Sequence, residues 1–307
     1  MVFVNYLFMC LIFGTTFLAI KIGVDSGLPP FFSAGLRFFI AGLILFLIMI
    51  VTKKTQVRLF FHKEMFLTGV CLTFGTFATL YWAEQYVTSG VAAILSATGP
   101  IMILLIQNVI LKEKGNRLSY IGCLLGISGV IFLILPIFTV EISPFWAIGC
   151  VAIIIGEIFY ATGTIYTKKV ITKFQHTSPI ALNAVQMMHG GMLLLLLSLV
   201  IERGQYDFTM NLASASSFLY LVVFGSMIGH TLFYWLVART NPVFPSTWLF
   251  ISPVIAVLVG VVFYQEYLSW VTVVGTVTII TGTIIVNFNA LQSMWKKKLV
   301  LKRGFKY

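Results

Sequence analysis

The chain has 307 residues, of which 59% are hydrophobic and 9% charged, and its mean hydropathy is +1.01. Soluble domains carry about 25% charged residues, so a soluble enzyme, a disordered protein and a small disulfide-linked domain are excluded. The four cysteines lie inside apolar stretches without CxxC spacing, which indicates packing rather than a disulfide framework or a zinc site. We therefore expect an integral membrane protein with no cofactor and no metal site.

Ten apolar stretches follow one another along the chain, and each has about 20 residues, enough to cross a hydrocarbon core of about 30 Å as a helix. They cover residues 4–22, 31–51, 66–85, 89–111, 118–137, 146–167, 179–200, 217–237, 244–264 and 270–289. Their continuous apolar character favours helices, because barrel strands alternate over about ten residues. The sequence predicts an all-α integral membrane fold of ten transmembrane helices.

Basic residues are distributed unevenly between the two sides that these spans define. With the N-terminus in the cytoplasm, every lysine and arginine except Lys21, Arg37 and Arg203 falls on the cytoplasmic side. This positive-inside pattern predicts a multi-pass plasma-membrane protein with both termini cytoplasmic. The net charge of +11 thus indicates orientation rather than nucleic-acid binding. We expect the basic tail at 290–307 to contact anionic lipid headgroups.

An internal repeat relates the two halves of the chain. The residues that match at an offset of 153 are Tyr81 with Tyr234, Trp82 with Trp235, Pro100 with Pro253, Glu113 with Glu266, Gly122 with Gly275 and Gly129 with Gly282. The repeats cover 4–137 and 146–289, with five helices each. Because five is odd, the two copies must have opposite orientations in the membrane. Such inverted repeats are typical of secondary transporters, which alternate access to one central site.

Several sequence stretches carry a family resemblance over residues 4–289. They are IFGTTFLAIKIG in the first span, GLRFFIAG in the second, YWAEQYVTSGVAAILSATGPIMILLIQNVILKEK across the third and fourth, and SPVIAVLVGVVFYQEYLS and GTVTIITG in the second repeat. The chain resembles the EamA-type permeases of the drug/metabolite transporter superfamily, although Phe13 stands where members often carry Trp. The resemblance implies a ten-helix plasma-membrane carrier, often an exporter of amino acids, related metabolites or drugs.

An ionisable residue at membrane depth indicates a functional site. Glu157 lies near the middle of the sixth span, with Tyr160 on the same helical face. A carboxyl group there can exchange a proton or contact a substrate amine, because apolar surroundings favour its neutral form. The alternative is a structural partner for Lys21, Arg37 or a hydroxyl group in the bundle.

The seventh and eighth spans add polar side chains at a similar depth. Asn183, Gln186 and His189 form one stripe of the seventh helix, and His230 lies near the middle of the eighth. We expect them to face the solute cavity, although interhelical hydrogen bonds are the alternative for each of them.

Arg37 lies about six residues inside the second span, so it needs a partner or a wet cavity. It can hold a substrate carboxylate through its bidentate guanidinium, or it can tie the helix to a loop carboxylate such as Asp25.

Two further groups of residues recur in both repeats. The aromatic pairs Tyr81-Trp82 and Tyr234-Trp235 either wall the pathway or form interfacial belts. Pro100 and Pro253 interrupt backbone hydrogen bonding within their spans. We interpret them as hinges or as part of the cavity wall, and the alternative is a passive kink.

These features together predict a secondary transporter that carries a small organic solute by alternating access, with proton coupling as a hypothesis. An exporter of amino acids or drugs fits the resemblance best. A membrane-embedded enzyme and a scaffold without transport are the alternatives. The enzyme is disfavoured because the chain contains no DxxD, HExxH or GxSxG motif.

Overall fold

The computed structural model describes residues 1–112, 116–134, 143–203, 211–255 and 270–304, and this part is almost entirely helical. Ten helices account for it, and they are α1 (Val2–Asp25), α2 (Pro30–Val51), α3 (Lys63–Ala83), α4 (Ser89–Val109), α5 (Arg117–Ile134), α6 (Pro144–Lys173), α7 (Pro179–Ile201), α8 (Leu212–Arg239), α9 (Val243–Ile255) and α10 (Trp270–Gly304). Seven are long and apolar enough to cross a membrane, and α5, α9 and α10 contain shorter apolar stretches. The predicted ten-helix fold is confirmed.

Helix starts follow from local sequence. Proline occupies the first turn of α2, α6 and α7, where its missing N–H leaves no hydrogen bond unmade. Side chains cap the N-termini of α4, α6, α7 and α8. For example, Ser143 Oγ accepts from Trp146 N at 3.1 Å and Asn211 Oδ1 accepts from Ser214 N at 2.8 Å. These caps satisfy donors that would otherwise be unpaired at the helix ends.

Several helices are interrupted in the middle. α1 breaks at Thr15 between Val2–Gly14 and Thr16–Asp25, and α4 breaks between Ser89–Ser96 and Gly99–Val109. π-Helical stretches occupy Gly69–Gly75 in α3 and Leu221–Gly229 in α8. These two stretches overlap when the repeat offset is applied, so both repeats share the same local distortion. Such π turns often accompany functional sites.

The packing of the helices has the symmetry that an inverted repeat requires. α2 packs along α7 and α5 packs along α10, while α3 packs on α6 and α8 packs on α1. Exchanging helices α1–α5 with α6–α10 converts each of these pairings into itself or into another member of the set. The described structure is therefore that of two inverted five-helix repeats.

Glycines allow the closest of these approaches. A Cβ atom on Gly122 would lie 2.8 Å from the carbonyl oxygen of Gly282, and one on Gly129 would lie 2.8 Å from that of Gly275. Each contact joins a glycine of α5 to the repeat counterpart of the other glycine on α10. The small residues let the two backbones touch, as in many membrane helix pairs.

Candidate functional site

A cavity of about 50 Å³ lies between helices of both repeats. That space has room for roughly three to five water molecules. Its aromatic lining consists of Phe13, Phe17, Phe77, Tyr160, Phe233 and Trp248, and its polar lining includes Thr16, Arg37, Thr76, Ser96, Glu157 and His230. Four of the predicted site residues, Glu157, Tyr160, His230 and Arg37, are therefore brought together at one place.

Glu157 projects from the middle of α6 and is only 5% exposed. The Ser96 hydroxyl of α4 lies beside its carboxyl group, and both residues line the cavity. Its Oε2 atom has no hydrogen-bond partner among the described residues. Gly99 gives this oxygen room, because a Cβ atom at Gly99 would lie 2.5 Å from Oε2. An unpaired buried acceptor at a cavity wall is a ready contact for a donor group or a proton.

Tyr160 lies one turn after Glu157 and connects α6 to α9. Its hydroxyl oxygen accepts a hydrogen bond from Trp248 Nε1 at 3.3 Å. The Trp248 ring in turn contacts Phe13, with ring centroids 4.6 Å apart, and stacks on Phe17 at 6.0 Å. This aromatic wall can cover the apolar part of a solute.

Arg37 is 1% exposed and its guanidinium joins three helices. Nε donates to the Ser226 hydroxyl of α8 at 2.8 Å, and Nη1 donates to the Tyr81 hydroxyl of α3 at 3.0 Å. The rings of Phe38 and Phe77 lie under the guanidinium carbon at 4.6 Å and 5.5 Å. The cation is thus held by hydroxyl groups and aromatic faces, and the Asp25 carboxylate pairs with Lys21 instead, at 2.9 Å.

His230 of α8 is surrounded by aromatic rings. Its ring centroid lies 5.2 Å from that of Phe13, 5.4 Å from that of Phe38 and 5.8 Å from that of Phe77. Phe77 and His230 occupy equivalent positions in the two repeats, so the pseudo-symmetry of the fold brings them together at the cavity.

Asn183 and Gln186 of α7 are fully buried but do not line the cavity. Gln186 Nε2 donates to Asn183 Oδ1 at 3.2 Å, and Thr73 Oγ1 of α3 donates to Gln186 Oε1 at 2.9 Å. Asn183 Nδ2 also donates to Thr231 Oγ1 of α8 at 3.4 Å. These amides connect α7 to α3 and α8, close to both π-helical stretches.

His189 also lies away from the cavity lining. Its ring stacks on Phe60 with centroids 4.4 Å apart, and its Nδ1 lies 3.1 Å from the carbonyl oxygen of Val185. The structure therefore places this histidine in contact with the 3₁₀ turn Val57–Phe61 that precedes α3.

The two Tyr-Trp pairs occupy similar environments in both repeats. Tyr81 and Tyr234 are each 1% exposed, and Tyr234 accepts a hydrogen bond from Thr167 Oγ1 at 3.4 Å. Trp82 and Trp235 are more exposed, and each contacts a nearby residue of its own chain segment, Tyr86 or Arg239. The tyrosines therefore point into the bundle, and Tyr81 reaches the cavity indirectly through Arg37.

Pro100 and Pro253 are both buried. Pro100 stands in the first turn of the second half of α4, directly after the break at residues 97 and 98. Pro253 lies inside α9, three residues after Phe250. Pro100 thus follows an interruption of its helix.

Nothing in the sequence assigned a site role to the residues that complete the site. Ser226 bonds to Arg37, Ser96 lies beside Glu157, and Phe13, Phe17 and Phe77 line the cavity. Hydroxyl and phenylalanine side chains are frequent in membrane helices, so their positions carried no separate signal. Among the described residues, no group of three or more His, Cys, Asp or Glu side chains is placed to hold a metal ion.

Ten helices in two inverted repeats around a cavity that both repeats line define the class of multi-pass membrane transporters. The model of the EamA-like transporter family matches residues 2–135 and 147–288. The chain belongs to this family.

Relatives support the same assignment. The uncharacterized inner membrane transporter YedA of Escherichia coli (strain K12) is 29% identical over 283 residues, covering 90% of this chain and 87% of YedA. The uncharacterized transporter YoaV of Bacillus subtilis is 25% identical, covering 91% and 94%, and protein PagO of Salmonella typhimurium is 29% identical, covering 82% and 81%. A solved crystal structure with 16% identity has a TM-score of 0.74 and covers 94% of this chain and 97% of its own, which supports the fold.

Proposed function

We propose that this membrane transporter is a secondary carrier that exports a small organic solute, such as an amino acid or a drug, by alternating access. The observation that carries the proposal is the Glu157 oxygen that has no hydrogen-bond partner in the described part of the chain, in an aromatic-lined cavity between the two repeats. A site shared by two inverted halves can open to either side when the halves exchange conformations. Pro100 and Pro253 are the proposed hinges of that exchange.

The cavity chemistry favours an amphipathic solute that carries an amine, a carboxylate or both. Glu157 can accept a hydrogen bond from an ammonium group, and the Arg37 guanidinium can bind a carboxylate. The rings of Phe13, Phe17 and Trp248 match an apolar side chain. A cavity of about 50 Å³ must widen to admit such a molecule. We therefore assign this structure to a state in which the site is nearly closed.

Glu157 is the proposed coupling residue. A carboxyl group that is buried beside apolar surfaces binds a proton readily, and an ammonium group of the solute would compete with that proton. Competition for one carboxyl group links export of the solute to import of a proton. Neither an enzymatic reaction nor a cofactor is needed for this cycle.

We also propose that both termini lie in the cytoplasm of a cell-membrane protein. Residues assigned to the cytoplasmic side from the sequence lie at the same end of the bundle. Lys173 at the end of α6 pairs with Glu64 at the start of α3, and Lys168 Nζ donates to carbonyl oxygens at the end of α8, including that of Val237 at 2.9 Å. The basic tail would then lie against anionic headgroups.

Proteoliposomes test the proposal. A panel of amino acids and cationic drugs is assayed for uptake and efflux with and without a pH gradient, for the wild type, Glu157→Gln and the control Glu202→Gln. Glu202 is a suitable control because it is buried but accepts the backbone N–H groups of Phe31 and Phe32 at 2.7 Å and 2.9 Å. We expect gradient-driven transport to fall at least about tenfold in Glu157→Gln alone. If no solute of the panel moves, or if Glu157→Gln transports normally, the proposal is wrong.

A further inference from the structure

A second carboxyl group, Glu84, is buried at the opposite end of α3 from the cytoplasmic Lys173–Glu64 pair. It directly follows the last residue of α3 and is 0% exposed. Both of its carboxyl oxygens lack a hydrogen-bond partner among the described residues. By contrast, Glu202, buried at the end of α7, uses both oxygens to accept backbone N–H groups.

The charges around Glu84 come from three helices. Lys21 of α1 donates from Nζ to the Glu84 backbone carbonyl at 2.8 Å and pairs with Asp25 at 2.9 Å. Lys21 and, more weakly, Arg37 of α2 act on the carboxyl group as positive charges. Tyr81, one turn before Glu84 on α3, is neutral and connects this end of α3 to Arg37 through the 3.0 Å hydrogen bond. On α6, Gly149 faces the end of α3 and carries no charge. Arg37 is therefore the one charged group that Glu84 shares with the cavity, among the residues the structure describes.

We propose that Glu84 is a proton-binding site that controls the affinity of Arg37 for a carboxylate group of the solute. When Glu84 is protonated, Arg37 keeps an uncompensated positive charge at the cavity wall. When Glu84 loses its proton, its carboxylate, which Lys21 also attracts, offsets part of that charge and competes with the carboxylate of the solute. The second half of this proposal rests on the proposed carrier function, whereas proton binding by Glu84 does not.

The cost of burying a charge supports this inference. An ionised carboxylate without hydrogen bonds is strongly unfavourable in a buried position, so the described arrangement suits the neutral acid. The sign of the coupling follows, since binding of a proton and binding of a carboxylate each favour the other.

Infrared spectroscopy tests the proton site without any solute. Purified wild type, Glu84→Gln and Glu202→Gln are compared at neutral pH in the region of the protonated carboxyl C=O stretch. We expect Glu84→Gln to remove one protonated-carboxyl band and Glu202→Gln to remove none. If the spectra of Glu84→Gln and wild type coincide in this region, Glu84 is ionised and the inference is wrong, whatever the protein transports.

Binding of two probes tests the coupling to Arg37. L-Phenylalanine carries a carboxylate, whereas L-phenylalanine amide has the same amine and ring without it. From pH 6 to pH 9, wild-type affinity for phenylalanine should fall about fivefold or more relative to Glu84→Gln. The ratio of wild-type affinity to Glu84→Gln affinity for the amide should stay constant over the same pH range. Equal effects on both probes would overturn the coupling, and failure of the wild type to bind either probe would instead count against the proposed substrate class.

Discussion

Arg37 and Ser226 are joined by a hydrogen bond of 2.8 Å from the guanidinium Nε to the hydroxyl oxygen, and this bond connects α2 of the first repeat to α8 of the second. Both residues are buried, and Tyr81 accepts a further bond from the same guanidinium at 3.0 Å. One side chain thus ties three helices together beside the cavity.

Replacement of Arg37 by Lys should destabilise the protein although the charge is kept. A lysine ammonium lacks the planar fork that reaches Ser226 and Tyr81 together, and each hydrogen bond to a charged group contributes about 1.5–3 kcal/mol. We expect a loss of about that size in the free energy of unfolding, measured by denaturant titration in detergent.

The control for this measurement is Lys173→Gln. Lys173 pairs with Glu64, but its side chain is 60% exposed, so the loss should stay below about 1 kcal/mol. Equal losses in the two variants would show that the Arg37 contacts add nothing beyond an ion pair with one exposed partner.

The contact between α5 and α10 should not tolerate even one methyl group. A Cβ atom at Gly282 would lie 2.5 Å from the backbone N of Gly126 and 2.7 Å from the carbonyl oxygen of Gly122. Because backbone atoms cannot move aside as side chains do, Gly282→Ala should cost about 1–3 kcal/mol. Thermal unfolding in detergent measures the loss.

Gly90 of α4 provides the control for Gly282→Ala. A Cβ atom at Gly90 would meet Thr88 Oγ1 at 4.0 Å and nothing nearer, so Gly90→Ala should leave the melting temperature unchanged or slightly raised. If Gly282→Ala has the same melting temperature as Gly90→Ala, α5 and α10 can move apart more easily than their packing indicates, and the prediction is wrong.

Gly99→Ala should impair the site more than the fold. The new Cβ atom would meet Glu157 Oε2 at 2.5 Å and Leu249 Cδ1 at 2.8 Å, and both are ends of flexible side chains that can move. We therefore expect a nearly normal melting temperature but at least about a tenfold loss of gradient-driven transport, since the displaced carboxyl leaves its position. Proteoliposome kinetics alongside Gly90→Ala measure this, and normal transport by Gly99→Ala would contradict the assigned role of Glu157.

The membrane orientation can be read by cysteine labelling. In a variant whose four native cysteines are replaced by alanine, Lys54→Cys and Arg203→Cys each offer one exposed thiol. A membrane-impermeant maleimide added to intact cells should label Arg203→Cys and reach Lys54→Cys only after permeabilisation. The opposite pattern would place the termini outside.

The sequence predicted the fold well because lipid imposes the length and apolar character of each helix, and because Tyr81-Trp82 and Tyr234-Trp235 mark the repeat. Glu157 and Arg37 could be singled out for a similar reason, since charged residues are rare at membrane depth. The rotation of each helix about its axis could not be predicted from the sequence. Gln186 bonds with Thr73 outside the cavity, and that rotation depends on packing and π turns that hydropathy does not encode.

The π-helical stretch Gly69–Gly75 in α3 makes the cavity sensitive to the number of residues as well as to their type. A π turn holds a surplus residue, and each residue of an α-helix advances about 100° around the axis. Deleting one residue from this stretch would restore a regular helix but swing Tyr81 about 100° away from Arg37. The matching stretch Leu221–Gly229 determines in the same way the direction in which His230 points around the axis of α8. In each repeat, one extra residue in a helix therefore decides which side chains face the cavity.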